Sequence, residues 1–271
     1  MKTPKKLEGL KGTDYQHPLD KVTLERLKNT RGLDAVVKKF YDLGIEKVIK
    51  MQHTGSALKA TRRNFPKVIN AVETACSILN VDVVPDIYIT RSERLHATCL
   101  GVDHPIIVLS SESVNRLTEP ELLFIIGREI GQIQNEHILY LEIGFIFPEL
   151  VEVFSSVTLG LANIVSGGLR YALFNWSQMA DYTADRAGFL ACQDIKVVIM
   201  MLAKFAGLPE SHWESYEIED FLDQARSFEG PSEGMFEKVM RFIYGNNLWA
   251  VARCGEILKW IESGDYEGVV R

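Results

Sequence analysis

Apolar residues recur every three or four positions along most of the chain, which is the spacing of amphipathic helices. This pattern covers residues 20–50, with a break at Arg31–Gly32, and returns in FPKVINAVETACSILNV. A different pattern follows, in which short apolar runs are bounded by turn residues. VPDIYIT predicts one strand at 85–90, and ATCLGVDHPIIVLSS predicts two more around a turn at Val102–Pro105. These patterns predict a mainly helical α+β protein with one small mixed sheet.

A long central helix is predicted after the sheet, in TEPELLFIIGREIGQIQNEHILY. Thr118 suits the N-cap, Pro120 suits the first turn, and Glu121 completes a capping box with Thr118. Helical spacing returns in SQMADYTADRAGFLACQD, in IEDFLDQARSFEG and in CGEILKWIESG. The second half of the chain is therefore predicted to be helical.

Residues 153–169 carry no charge over 17 positions. This length is at the short end for a membrane span, and polar and glycine residues dilute its hydrophobicity. A buried or membrane-leaning helical hairpin is favoured over a transmembrane helix, and peripheral membrane contact through this segment stays open.

Composition and charge narrow the possible classes of protein. The 271 residues include 30 basic and 36 acidic side chains, a net charge of −6, which argues against nucleic acid as the main partner. The four cysteines have no paired spacing, which favours a reducing compartment. The basic N-terminus lacks the apolar region of a signal peptide, and residues 1–20 are predicted to be a flexible tail. A cytoplasmic or organellar, stroma-like location is expected.

The central helix contains GREIGQIQNEH at 127–137, which has the spacing of the zinc-protease motif H-E-x-x-H. In that motif, positions i and i+4 aim two imidazoles at one zinc ion, and the glutamate is the general base. Here Arg128 and Gln132 stand at the histidine positions and Glu129 at the base position. Arg does not lose its proton and Gln is a poor zinc ligand. Alone, a Glu beside an Arg on a helix usually indicates a solvated pair.

The surrounding order of elements makes the resemblance specific. Strand, edge strand, long helix, apolar hairpin and acidic helix follow one another as in the zincin (gluzincin) metallopeptidases related to HtpX and the CAAX prenyl endopeptidase. The chain resembles most the soluble branch that includes the plant plastoglobule metallopeptidase. That branch reads L-x-H-E-L-G-H-x-x-x-x-H, then S-A-E-x-x-x-D-R-A, then T-H-P…R…E-x-x-x-W. The resemblance covers nearly the whole chain and implies a zincin-like fold, with an edge strand beside the central active-site helix.

The resemblance assigns roles to individual positions. It places the former metal ligands at Arg128, Gln132 and Asp181, and an active-site histidine at Asn247. The Asn of the family's substrate-holding Asn-Ala falls on His96. Several scaffold positions stand as the family has them, namely Glu129, Gly131, Asn135, His137 and Asp185. The zinc ligands are therefore expected to be replaced, and no metal cofactor is expected.

The expected domain organisation is the 1–20 tail followed by one zincin-like domain over 21–271. Within it we expect a helical part at 21–82, the sheet at 84–110, core helices and the apolar hairpin at 118–192, and a helical part at 193–271.

The expected function is that of a degenerate metallopeptidase homologue, or pseudoprotease. It would bind a protein or peptide, or regulate an active paralogue, through a cleft beside the edge strand. The alternative is an active zinc-type metalloendopeptidase with atypical ligands, in which case zinc is the cofactor. We also expect the Arg128 guanidinium to replace the zinc by pairing with Asp181 or Asp185. Unless another cation approaches, one nearby carboxyl should then have a raised pKa.

Overall fold

The computed structural model describes residues 4–146, 167–228 and 249–271. In chain order, its helices are α1 Gly12–Tyr15, α2 Pro18–Lys28, α3 Leu33–Asp42, α4 Ile45–Ser56, α5 Pro66–Ile78, α6 Ser111–Arg116, α7 Glu119–Gln134, α8 at 138–146, α9 Gly167–Cys192, α10 Ile195–Ala206, α11 Ile218–Ser227, α12 Ala250–Glu262 and α13 Asp265–Val270. Most of the predicted apolar segment 153–169 lies outside the described residues and stays a prediction. Of the helices described, none is long and apolar enough to cross a membrane.

One small mixed sheet contains β1 Leu58–Lys59, β2 Asp86–Thr90, β3 Ala97–Leu100 and β4 Ile106–Ser110, in the order β1-β2-β4-β3. β2 and β4 are parallel, whereas β1–β2 and β3–β4 are antiparallel. β3 is an edge strand and packs beside α7. The predicted α+β class, the mixed sheet and the edge strand beside the central helix are confirmed.

Both faces of the sheet are covered, because all five residues of β4 are buried. Ile107 and Leu109 point to the cluster that holds α5 and α7. Ile106 and Val108 point to the opposite cluster, with Trp176 of α9. Successive side chains of a strand alternate between faces, so β4 joins two cores. The chain that leaves β4 enters α6 and α7, which places the central helix against the sheet.

The central helix α7 begins as predicted and ends earlier than predicted. The Thr118 N–H donates to the Glu121 carboxylate at 3.0 Å, so the predicted capping box is present. The expectation that the helix continues to Tyr140 is wrong. It ends at Gln134, because Glu136 adopts a left-handed conformation with φ of 57°, and α8 follows at 138–146.

The N-terminal segment packs on the domain, which differs from the loose tail expected for residues 1–20. Leu7, Tyr15 and Asp20 are buried, and the Asp20 carboxylate accepts hydrogen bonds from Trp176 Nε1 at 3.0 Å and from Thr183 Oγ1 at 2.6 Å. The sequence argument missed this packing because the segment has many basic residues and few apolar ones. Hydrogen bonds therefore fix the segment to α9, one of the helices that form the candidate site.

α7 and α9 approach each other through glycines. A Cβ at Gly131 would lie 2.3 Å from Ala187 Cβ, and one at Gly127 would lie 2.5 Å from Ala191 Cβ. On α9, a Cβ at Gly188 would lie 2.9 Å from Arg128 Cγ. Real Cβ atoms do not fit at such distances, so glycine sets the separation of the two helices and leaves room for the Arg128 side chain.

Gly131→Ala should therefore destabilise the protein by roughly 1–3 kcal/mol, because the added methyl group overpacks the α7–α9 contact. Urea unfolding monitored by circular dichroism measures this. The matched control is Gly55→Ala in α4, where nothing lies within 4 Å of the added Cβ. The control should leave the free energy of unfolding equal or raise it by up to about 1 kcal/mol. Equal effects of the two substitutions would contradict the packing argument.

Candidate active site

A cleft of about 1240 Å³ opens between the edge strand and the central helix. The whole length of β3 forms one wall, and α7 contributes Arg128, Glu129 and Gln132. α9 contributes Asp181 and α12 contributes Arg253. Three helices that are distant in sequence thus place charged side chains at one point of the cleft, opposite the edge strand.

The Arg128 guanidinium joins α7 to α9. Its Nη2 donates to Asp181 Oδ1 at 2.8 Å, and its Nη1 donates to Asp185 Oδ1. Only 8% of Arg128 and none of Asp185 is exposed, whereas the Asp181 side chain is 29% exposed. One planar fork therefore holds two carboxylates that stand one helical turn apart. The geometry has the pairing expected from the sequence, with both aspartates as partners.

A second guanidinium binds the same aspartate. Arg253 donates from Nε to Asp185 Oδ2 at 2.7 Å and from Nη2 to Asp185 Oδ1 at 2.6 Å. Arg253 is also buried. Asp185 thus accepts three charge-assisted hydrogen bonds and is fixed from two sides. Burial and the charge of Arg253 lower the pKa of Arg128 to about 10, which keeps Arg128 positively charged at pH 7.

Glu129 is the acidic residue of the cluster whose protonation changes the net charge of the cluster near neutral pH. Its carboxyl is buried beside the Cys99 thiol of β3, with which it shares a hydrogen bond. Burial raises the pKa of Glu129 to about 7, although the charge of Arg128 acts in the opposite direction. Burial also raises the pKa of Cys99 well above its ordinary value, so this thiol stays protonated. The sequence argument expected a raised carboxyl pKa unless His96 or another cation approached; Arg253 does approach, and burial raises the pKa of Glu129 nevertheless.

The remaining predicted site residues differ in placement. His96 lies just before β3 and is exposed. Desolvation of its ring, and then the positive charge of Arg128, lower its pKa, although Asp181 acts in the opposite direction. Gln132 is buried, and its Oε1 accepts a hydrogen bond from His137 Nδ1 at 2.6 Å. His137 is fully buried in the short link between α7 and α8, which fits a structural histidine. Asn247 lies outside the described residues, so its position stays a prediction.

The residues at this point of the cleft do not fit a zinc ion. The Arg128 guanidinium carries a positive charge and uses the oxygens of Asp181 and Asp185 that a metal would need. The Gln132 amide oxygen is bound by His137. Within 4–146, 167–228 and 249–271, no group of three or more His, Cys, Asp or Glu side chains is arranged to hold a metal. These residues can bind a ligand group by charge and hydrogen bonds, and Glu129 can exchange a proton near neutral pH.

The sequence argument missed two residues that shape the candidate site, Arg253 and Gly188. Arg253 stands at the Arg of the T-H-P…R…E-x-x-x-W pattern, which was the available signal. Gly188 leaves space for Arg128 and had no signal beyond a glycine inside a helical pattern. Neither residue is close in sequence to the partner it serves, so local periodicity does not identify them.

Comparison with known proteins identifies the family of the chain. The model of Peptidase family M48 matches residues 63–237, which is more than half of the chain. The chain is 26% identical to the Plastoglobule-localized metallopeptidase 48, chloroplastic, of Arabidopsis thaliana, over 99% of this chain and 78% of that protein. No solved structure matches. The chain therefore belongs to peptidase family M48, a zincin-type metallopeptidase family, and the expected resemblance is confirmed.

Arg128→Ala should destabilise the protein by roughly 3 kcal/mol, because it leaves Asp181 and Asp185 without their shared partner. This is the low end for a buried pair, since Arg253 still neutralises Asp185. Thermal and urea unfolding measure the change. The control is Arg116→Ala, which removes two ion pairs of a partly exposed arginine, with Glu112 and Glu210, and should cost about 1 kcal/mol or less. An unchanged free energy of unfolding in Arg128→Ala would contradict the bridging role.

Glu129→Gln should change the pH dependence of stability. The folded-state pKa of Glu129, about 7, lies above its ordinary value of 4.5, so the folded protein binds more protons between these values. Glu129 therefore adds roughly 3 kcal/mol to the free energy of unfolding below pH 4.5. This contribution decreases as the pH rises from 4.5 to 7. Glu129→Gln should lose this dependence and exceed the wild type in stability at pH 8.

The measurement is urea unfolding of both proteins at several pH values between 4 and 8. Glu142, whose pKa is also raised to about 7, provides a second dependence that should survive in Glu129→Gln. The control is Glu93→Gln, an exposed acid of the same cleft, which should follow the wild type at every pH. Parallel curves for wild type and Glu129→Gln would disprove the assignment.

Proposed function

We propose that this M48 chain is a non-catalytic metallopeptidase homologue, a pseudoprotease, that binds a protein or peptide in its cleft. Its partner would be an extended segment of a client protein or of an active metallopeptidase paralogue. Glu129 would then be idle as a base, and the positions of Arg128, Gln132 and Asp181 would be former ligand positions. No metal cofactor and no nucleic acid enter this proposal.

The observation that carries the proposal is the bridge made by Arg128. In an M48 enzyme, a zinc ion at this place would activate the attacking water and polarise the peptide carbonyl. A guanidinium supplies neither function when its donors are already bound to Asp181 and Asp185. It does supply the cation that those buried carboxylates need. The arrangement therefore supports a stable cleft without supporting hydrolysis.

Peptide binding needs only the wall of the cleft. β3 is an edge strand, and its one neighbouring strand in the described part of the chain is β4. The strand is held firmly where it begins, since the His96 N–H donates to Ser113 Oγ at 2.9 Å and Ser113 is fully buried. An added peptide strand gains main-chain hydrogen bonds along such an edge. A bound peptide would lie along β3 with the Arg128 cluster beneath it.

The location is proposed to be cytoplasmic or organellar, in a stroma-like compartment. The chloroplast location in the name of the Arabidopsis relative supports the organellar form. All four cysteines are free and buried, which suits a reducing compartment. Peripheral membrane contact through 153–169 belongs to the proposal on the strength of the sequence alone.

Metal analysis of protein purified without chelators tests the proposal directly. The expected result is much less than one zinc per chain and no cleavage of a mixed peptide library. About one tightly held zinc per chain, together with cleavage that a chelator abolishes, would overturn the proposal. That outcome would favour the alternative, an active metalloendopeptidase with atypical ligands.

Restoring the family ligands gives a second test of the same positions. A variant with Arg128→His, Gln132→His, Asp181→Glu and Asn247→His should take up about one zinc per chain and gain stability from it. The matched control carries Gln132→His and Asn247→His but keeps Arg128, and it should not bind zinc. Equal zinc content of wild type, control and restored variant would count against the idea that Arg128 displaced the metal.

A further inference from the structure

Glu142 is a buried carboxyl that the Arg128 cluster does not use. It lies in α8, is 2% exposed, and lines the same cleft as Glu129. Its Oε1 accepts a hydrogen bond from the Gly101 N–H at 2.8 Å, just beyond the end of β3. Its Oε2 has no hydrogen-bond partner in the described residues. A buried oxygen without a partner is unfavourable, so a ligand that supplies a donor relieves part of that cost on binding.

The surroundings of Glu142 suit a ligand group with an apolar stem. The cleft wall near it is built from aliphatic and aromatic side chains, namely Ile49, Leu100, Leu141, Phe145 and Leu173. Several of these side chains belong to the hydrophobic core that also contains Trp176, so this wall packs against buried side chains. Among the described residues of this part of the wall, Glu142 supplies the carboxyl, and α9 adds the polar side chains of Arg170 and Gln178 to the cleft. The subsite therefore combines an apolar lining with a carboxyl at its base.

The charges around Glu142 favour a cation. Burial raises the pKa of Glu142, and the charge of Glu46 of α4 acts in the same direction. The Glu46 Oε1 accepts a hydrogen bond from the Val102 N–H at 2.8 Å. Lys50 acts in the opposite direction, but its Nζ already donates to the His104 carbonyl at 2.7 Å. Arg170 of α9 also lines the cleft. The Oε2 atom of Glu142 nevertheless has no donor from these cations. By contrast, Asp181 and Asp185 at the other end already have guanidinium partners.

We propose that Glu142 forms the base of an acidic subsite that takes a Lys or Arg side chain of the bound peptide. This inference rests on the proposed function, because the peptide must lie along β3 for its side chain to reach the Leu100 end of the cleft. The aliphatic stem packs against the apolar wall, and the terminal ammonium or guanidinium donates to Oε2. A purely apolar side chain would leave Oε2 unpaired, and a neutral donor would leave the ionised carboxylate without a counter-charge.

A displayed library of random ten-residue peptides, selected on the full-length protein at pH 7.5, tests the subsite. The wild type should enrich Lys or Arg at one position of the aligned binders. Glu142→Gln keeps the acceptor for the Gly101 N–H, so the cleft should keep its shape while losing the charge. Selection on Glu142→Gln should still yield binders, with the basic enrichment lost at that position. The control Glu93→Gln alters an exposed acid of the same cleft and should retain the enrichment.

One enriched peptide then gives the quantitative test by calorimetry. Replacing its basic residue with norleucine, which keeps the stem and removes the ammonium, should weaken binding to the wild type at least ten-fold. On Glu142→Gln the same replacement should change the affinity less than two-fold. A free amine at the peptide N-terminus offers the same chemistry, so an acetylated copy is measured beside it. If acetylation rather than norleucine removes the affinity, the subsite binds a terminal amine and the side-chain assignment is wrong.

The outcomes separate the subsite from the function on which it rests. Enriched peptides without a basic preference, or a preference that persists in Glu142→Gln, would overturn the subsite and leave peptide binding intact. A protein that enriches no peptide at all overturns both the subsite and the proposed peptide-binding function. Melting curves for each variant show that lost binding is not lost folding.

Discussion

The structure of this site depends on one buried cation, the guanidinium of Arg128, held between two carboxylates of α9. A charge at 8% exposure is stable only if its donors are bound and its charge is matched. Beside this ion pair, α7 and α9 lie closer than ordinary side chains allow, and Gly131 on α7 and Gly188 on α9 permit that approach. The electrostatics of the site and the packing of its helices are therefore one constraint.

The charges of the cluster balance through a proton. Arg128 and Arg253 oppose Asp181 and Asp185, which leaves Glu129 as the carboxyl without a dedicated cation. Burial then raises its pKa to about 7, and the neutral form removes the excess negative charge at little structural expense. Among the described residues this arrangement is self-contained. An additional divalent ion would have to displace a guanidinium that is already hydrogen-bonded on two sides.

Local patterns predicted the elements whose burial follows from their own sequence, and the resemblance placed them in order. β2, β3, β4 and the start of α7 lie where alternation and the capping box indicated. The end of α7 could not be predicted, because a left-handed Glu136 interrupts a spacing that remains apolar afterwards. The packing of residues 4–20 also escaped prediction, since it depends on Asp20 meeting Trp176, 156 residues away. Arg253 reaches Asp185 over 68 residues, a distance that no local spacing records.

The two ends of the cleft differ in what they can do for a ligand. At the Arg128 end, the carboxylates already have partners, so a ligand group there must compete with bonds inside the protein and gains little. At the Leu100 end, Glu142 keeps an oxygen without a partner in the described residues, so a donor arriving there replaces no existing bond. In the proposed function, a β3 edge of four residues would give affinity to any extended segment and little discrimination. Selectivity would then come from the unpaired carboxyl, whereas the paired ones maintain the shape of the cleft.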